Sequence, residues 1–411
     1  MDDTAREASA AADRCVLIRR QAIFDPQERV SGYELLLDTG APPAEDEQAQ
    51  GLLTSAVVDI GLRRIVGTRR AYLTATPALL ADAAALRLSP EQVVLLVPAQ
   101  PVGRSLLRTL RGLVGAGFEI GVGAWALDGG AEPLLRLASV VKLDFRFGTR
   151  ELALLMTRRD ELHARGATLI AGQVQTWGEY ERCLGLGFDA FQGEYLAHPA
   201  PIAGRRTPTA AAGALGAALR ARGPRAFEEL ERVICEDAGL AHRFLRVADC
   251  ALFGGRTRVR SVHDALTRLG TETARRWAML TIVAGLADAG SPAARHFLGV
   301  GLHRARLCEL LARRQRQGCP DRAFSAGLLS VLPAVTSEPL DELLAHLPID
   351  EALARALTDY LGAEGQMLAA IVAHERGERA GEDTEPGLLA AIGRIYAEAL
   401  LWADETARRL G

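Results

Sequence analysis

The chain has 411 residues, of which 49% are hydrophobic and 24% charged; this excludes a disordered or fibrous protein and supplies apolar material for two or three cores. A formal net charge of -3, with both signs interspersed, lacks the basic stripe a non-specific nucleic-acid binder needs to neutralise phosphates, so nucleic acid is not an expected partner. Arginine has displaced lysine almost everywhere: Lys142 is the single lysine among 48 basic residues, and asparagine is absent.

In chain order, the first 14 residues, MDDTAREASAAADR, are small and acidic and read as a disordered start without the features of a secretion signal. No stretch approaches the roughly 18 apolar residues of a membrane span, so nothing calls for a membrane. The six cysteines, Cys15, Cys183, Cys235, Cys250, Cys308 and Cys319, form no C-x-x-C pair. Reduced thiols and a cytoplasmic location are the expectation.

From residue 15 to about 200, short β-branched or apolar runs at 15–23, 70–75, 93–97, 119–126, 140–145, 168–174 and 190–196 alternate with amphipathic segments such as 51–66, 103–117 and 151–166. Repeated strand–helix alternation predicts βα units on a parallel sheet. With about seven repeats a closed (β/α) barrel is favoured, somewhat truncated, since roughly 185 residues fall short of the usual ~250. Residues 201–209 are rich in Pro, Gly and Arg and read as a linker. Residues 210–411 are helical by periodicity almost throughout, including 261–269, 323–332 and 385–410, which predicts an all-α second domain. The apolar stripe of 385–410 suits its own domain or a second copy, so a homodimer is one outcome.

In a parallel barrel, functional side chains stand at the C-terminal ends of strands. Those ends carry Glu34, Thr74, Leu96, Gly123, Lys142 with Asp144, Gly172 and Gln192. A divalent-metal phosphodiesterase site requires several converging hard oxygen ligands, and this set has one or two carboxylates. No P-loop, G-x-S-x-G or H-E-x-x-H pattern occurs, which leaves no motif for nucleotide-triphosphate, serine-hydrolase or zinc-protease chemistry.

The segments Arg20-Gln21-Ala22-Ile23-Phe24-Asp25, Gly32-Tyr33-Glu34-Leu35-Leu36, Val141-Lys142-Leu143-Asp144 and Gly187-Phe188-Asp189-Ala190-Phe191-Gln192-Gly193 together resemble the EAL family of cyclic di-GMP phosphodiesterases, built on a modified (β/α) barrel. Farther on, Phe244-Leu245-Arg246-Val247-Ala248-Asp249, Ser261–Gly270 and Ala326-Gly327-Leu328-Leu329-Ser330-Val331 resemble the HDOD family, an HD-related helical domain. The resemblance implies a bacterial EAL–HDOD signalling protein: 15–200 as EAL domain, 201–209 as linker and 210–411 as HDOD domain.

The same resemblance implies what has been lost. EAL enzymes hold their metals with the motif Glu, an Asn after the second strand, a Glu on the third, paired Asp on the fourth and a late Glu. Here only Glu34 matches; the other positions read Thr74, Leu96, Gly123, Ala124 and Gly172. A second late Glu reads Gln175, and a substrate-contacting Arg reads Asp38. Stripping a metal site of nearly all its carboxylates leaves no site to generate hydroxide. The expectation is a catalytically inactive EAL domain with no cofactor, acting on protein partners as a signalling adaptor. The alternative is a cyclic di-GMP receptor or a residual phosphodiesterase, with Mg²⁺ or Mn²⁺ involved only then. Gln21, Glu34, Lys142, Asp144 and Gln192 are the candidate ligand-binding residues; equally, Glu34 and Gln192 serve to tie strand ends together.

His263-Asp264 looks like the metal doublet of HD phosphohydrolases. It also falls just after Ser261, a natural N-cap, with Asp264 in a first helical turn where the dipole favours it, and helix capping is the preferred reading.

Overall fold

The computed structural model describes residues 17–38, 61–75, 79–80, 88–145, 149–197, 209–249, 259–376 and 386–410. The expected disordered start, 1–14, lies outside the described residues, as do 51–60 of the first amphipathic segment and all of the linker except Thr209. Contacts divide the chain into two compact units, Met1–Leu196 with Ala373–Ala397, and Ala197–Val372 with Glu398–Gly411.

The first unit is built on a closed barrel of eight strands in sequence order: β1 (Leu17–Phe24), β2 (Val30–Asp38), β3 (Arg70–Thr74), β4 (Val93–Val97), β5 (Glu119–Gly123), β6 (Val140–Asp144), β7 (Thr168–Val174) and β8 (Ala190–Gly193). Strands β2 to β8 run parallel, whereas β1 is antiparallel to both of its neighbours. That reversal follows from a tight hairpin in place of a crossover. Asp25 closes it, its Oδ1 accepting from the backbone N–H groups of Gln27 and Arg29 at 2.9 Å each.

Helices α1 (Leu62–Val66), α2 (Arg104–Gly115), α3 (Glu132–Leu135), α4 (Thr149–Ala164) and α5 (Trp177–Gly185) surround the strands. The start of α5 is fixed by a capping box between Thr176 and Glu179, which satisfies two otherwise orphaned N–H groups. The truncation foreseen from length falls between β5 and β6, where a 3₁₀ turn (Ala124–Leu127) and the four-residue α3 replace a full helix. The strand expected over 119–126 therefore ends at Gly123.

Inside the barrel, Ile23, Tyr72, Val94, Val140, Ile170 and Ala190 form one buried layer, with Leu96 packed against it. Burying each large aliphatic side chain contributes roughly 1.5–3 kcal/mol. Because side chains alternate between faces, a step of two residues from this layer toward the strand ends reaches Thr74, Leu96, Lys142, Gly172 and Gln192, and the step back along antiparallel β1 reaches Gln21. The core register thus dictates which residues line the mouth.

The second unit is helical: α6 (Thr209–Arg220), α7 (Ala226–Glu236), α8 (Ala238–Asp249), α9 (Val262–Leu269), α10 (Thr271–Ala289), α11 (Ala294–Gln315), α12 (Pro320–Leu329), α13 (Leu332–Thr336), α14 (Leu340–His346) and α15 (Glu351–Thr358). Two further helices, α16 (Gly362–Arg376) and α17 (Pro386–Leu410), complete the chain. The helix expected over 323–332 ends at Leu329, and α13 restarts with Pro333 in its first turn, where a missing N–H is tolerated. Helices α11 and α12 approach so closely at Gly327 that a Cβ there would lie 2.5 Å from the backbone of Arg304 and Ala305.

At the heart of this unit Glu309, 1% exposed, accepts from Arg276, Arg306 and Arg313, each at 2.7 Å. Arg276 and the fully buried Arg275 both pair with Asp321. The guanidinium of Arg276 lies 5.2 Å over Phe324, and that of Arg306 lies 5.7 Å over Trp402. Among the described residues no single helix is long and apolar enough to cross a membrane.

Candidate functional site

The five residues singled out in the sequence meet at the barrel mouth. Glu34, on β2, is 6% exposed and receives two donors on one oxygen: Lys142 Nζ from β6 and Gln192 Nε2 from β8, each 2.6 Å from Oε2. Gln192 Nε2 also donates to Gln21 Oε1 at 3.0 Å. A single chain of polar contacts therefore links β6, β2, β8 and β1. A buried carboxylate is tolerable only when it is paired and hydrogen-bonded, and both conditions are met from within.

Asp144, two residues beyond Lys142, points to the same side of the sheet but joins no hydrogen bond among the described residues. It is half-buried, and burial pushes its carboxyl above the usual aspartate range; the Lys142 ammonium pulls the other way, and the Glu34 charge adds to the rise. The side chain of Asp38 lies outside the described residues.

Two of the emptied positions, Gly172 and Gly123, are crowded by neighbours, as is Gly121. A Cβ added at Gly172 would come within 2.3 Å of Asp144 Oδ1 and 3.0 Å of Lys142 Cε. At Gly121 it would meet Leu96 Cδ2 at 2.5 Å, and at Gly123 it would meet Trp125 Cδ1 at 2.9 Å. Leu96, Trp125, Lys142 and Asp144 occupy the space that larger residues at these glycines would take, so a side chain placed at any one of them displaces a neighbour.

What remains is a cavity of about 440 Å³, lined by Glu34, Lys142, Asp144 and Glu151 among apolar neighbours that include Leu96, Pro98, Val122 and Trp125. Trp125 and Glu151 were not singled out from the sequence. The run 119–126 predicts a strand through Trp125, which the structure places in the 3₁₀ turn; its signal is its place directly after the Gly123-Ala124 pair. Glu151 sits in the first turn of α4, and only the fold turns it toward the mouth.

Mg²⁺ or Mn²⁺ at such a site demands a near-octahedral set of hard oxygens. One Glu34 oxygen is already held by Lys142 and Gln192, while Thr74, Leu96, Gly123, Ala124 and Gly172 bring no carboxylate. Among the described residues no group of three or more His, Cys, Asp or Glu is arranged to hold a metal ion. The residues present do not fit the metal ions that an EAL-type reaction uses.

The His263-Asp264 doublet has a structural occupation. Ser261 Oγ accepts from the Asp264 N–H at 3.1 Å, capping α9. Asp264 pairs with Arg268 and accepts from the Arg260 N–H, and His263 faces Glu231 at 3.2 Å.

Comparison with known proteins adds to this geometry. The family model of the HDOD domain matches residues 218–338, so the helical unit carries an HDOD domain. An uncharacterized protein of Bacillus subtilis, YuxH, is 26% identical over 372 residues, covering 86% of this chain and 89% of its own. A protein of Vibrio cholerae named cyclic di-GMP phosphodiesterase CdgJ is 22% identical over 405 residues, covering 95% of this chain and 93% of its own. Among solved structures, the PaMucR phosphodiesterase in complex with c-di-GMP overlaps 44% of this chain and 94% of its own at 18% identity and a TM-score of 0.36. An EAL domain protein of Listeria monocytogenes overlaps 47% of this chain and 91% of its own at 14% identity and a TM-score of 0.38.

Proposed function

We propose that this chain is an EAL–HDOD protein in or near cyclic di-GMP signalling, with residues 15–200 forming a barrel that does not hydrolyse the nucleotide and 210–411 forming the HDOD part, and that it acts as a cytoplasmic adaptor through protein contacts. The observation that carries this reading is the enclosure of Glu34. The one carboxylate matching the family's metal ligands is bound by Lys142 and Gln192, and the neighbouring ligand positions are glycine, alanine, leucine or threonine. A Lewis-acidic ion could not be recruited without breaking that pair and refilling several positions together. The name of the Vibrio cholerae relative points to the signalling context, and the HDOD match to the pairing of domains.

The test is direct. Purified protein incubated with cyclic di-GMP and Mg²⁺ or Mn²⁺ is expected to release no linear dinucleotide beyond a Glu34→Ala control, and release above that control would overturn the reading. Calorimetry with the same nucleotide separates an adaptor from a receptor. An adaptor gives no saturable heat, whereas a receptor gives heat that Lys142→Ala abolishes.

A further inference from the structure

We propose that the barrel mouth binds an organic cation, a guanidinium, amidinium or ammonium group on an apolar stem, held between the Trp125 indole and the carboxylates of Asp144 and Glu151. This inference rests on the reading above, in which the mouth has given up its metals and its anionic dinucleotide.

Three independent features of the cavity agree. Its volume of about 440 Å³ falls within the roughly 300–1,000 Å³ of small-ligand sites, which are mostly apolar with a few placed polar groups. Among the described residues its sign is wrong for an anion: three carboxylates, Glu34, Asp144 and Glu151, face one ammonium, and that ammonium is already engaged by Glu34 at 2.6 Å. Among the described residues, a phosphate entering would meet two further negative charges and no cation outside the Glu34 pair, whereas a cation would meet the reverse.

The third feature is the state of Asp144. It is half-buried and has no hydrogen-bond donor among the described residues, so its carboxylate is partly stripped of water with no hydrogen bond in return. A guanidinium or amidinium supplies charge-assisted, bidentate donors to such a group. Trp125 supplies the complementary wall, since an indole is the strongest of the aromatic partners for a cation. Both residues owe their placement to local structure: Asp144 ends β6, and Trp125 is turned inward where β5 gives way to a 3₁₀ turn, its ring edge against Gly123.

The experiment uses the full chain and isothermal titration with benzamidinium, its neutral isostere benzamide, and a capped arginine peptide with its citrulline counterpart. Benzamidinium is expected to bind at least tenfold more tightly than benzamide, and the arginine peptide at least tenfold more tightly than the citrulline one. Asp144→Asn, nearly isosteric and safe for folding, should remove both preferences; Trp125→Leu should weaken both cations without restoring the neutral ligands. A capped arginine tighter than benzamidinium identifies a partner's side chain as the natural occupant, and the opposite order a free small cation. Equal affinity for charged and neutral ligands, no saturable binding of either cation, or a preference that survives Asp144→Asn overturns the proposal. Hydrolysis of cyclic di-GMP above the Glu34→Ala control would instead sink the adaptor reading, so the two failures are distinguishable.

Discussion

Two buried glutamates, one in each unit, are neutralised in different ways. Glu309 is enclosed by three arginines from two helices, two of them lying over the rings of Phe324 and Trp402. Glu34 has one lysine and one amide and sits on the wall of an open cavity. Arginine's planar fork fixes direction and stacks on aromatic faces, whereas lysine's ammonium is a compact point charge that leaves neighbouring space free. The first arrangement is a closed structural node. The second holds charge at a surface that a ligand can still approach.

Their titrations differ as well. Burial opposes ionisation of Glu309, but the hydrogen bonds and charges of Arg276 and Arg306 outweigh it and hold its carboxyl below the usual range. At the mouth, burial wins over Lys142 and Asp144 is raised. By linkage, Glu309 contributes stability that is present above the ordinary glutamate value and lost as pH falls through its lowered folded value. Asp144 does the reverse: the native state keeps its proton longer than the unfolded chain, so stability declines as pH climbs from the ordinary aspartate range into the raised value.

The largest expected effect is at the closed node. Glu309→Ala leaves Arg276, Arg306 and Arg313 with too little counter-charge and should destabilise the helical unit by about 3–5 kcal/mol, read from urea unfolding followed by far-UV circular dichroism. A loss under about 1 kcal/mol would mean that the arginines relax into solvent and that the contrast with Glu34 is false.

At the mouth, Lys142→Met strands the Glu34 charge with only Gln192 and should cost roughly 2–3 kcal/mol, less than at Glu309 because water reaches the cavity. Adding Glu34→Gln should recover more than half of that, and strict additivity in the double-mutant cycle would show that the pair is not coupled. The smallest effect is Asp144→Asn, which should flatten the decline in thermal midpoint as pH rises through the weakly acidic range; an unchanged pH profile would show that the raised carboxyl is not Asp144.

Much of this was legible in the sequence because it follows period and punctuation. The β-branched run at 93–97 and the mixed run at 168–174 coincide with β4 and β7, and Ser261 caps α9 as its type and place suggest. The lone lysine and the motif glutamate meet, although 108 positions separate them. What stayed hidden has physical reasons. The apolar run continuing through Ala124-Trp125-Ala126 cannot by itself distinguish a strand from a 3₁₀ turn, so Trp125 was lost to a strand. The break at Ser330-Val331 did carry its signal, Pro333. The Glu309 node combines Arg306 and Arg313 at helical spacing with Arg276 from another helix, and a spacing rule shows only the first two.

The barrel's closure carries a mechanical implication. Strands β1 and β2 share a long ladder, but β1 meets β8 through the single backbone pair Phe24 and Phe191. The ring is therefore clasped there by side chains: the Gln192 amide reaching Gln21 and Glu34, the Phe24 ring edge-on to Tyr195 at 6.4 Å, and the Tyr180 hydroxyl donating to the Pro26 carbonyl at 3.0 Å. Such a ring is least stiff across its clasp, and the clasp's hook is the residue that holds Glu34. Whatever draws Glu34 away from Gln192 at the mouth removes the tie between β2 and β8 and leaves the seam to Gln21, the backbone pair and the aromatic rings.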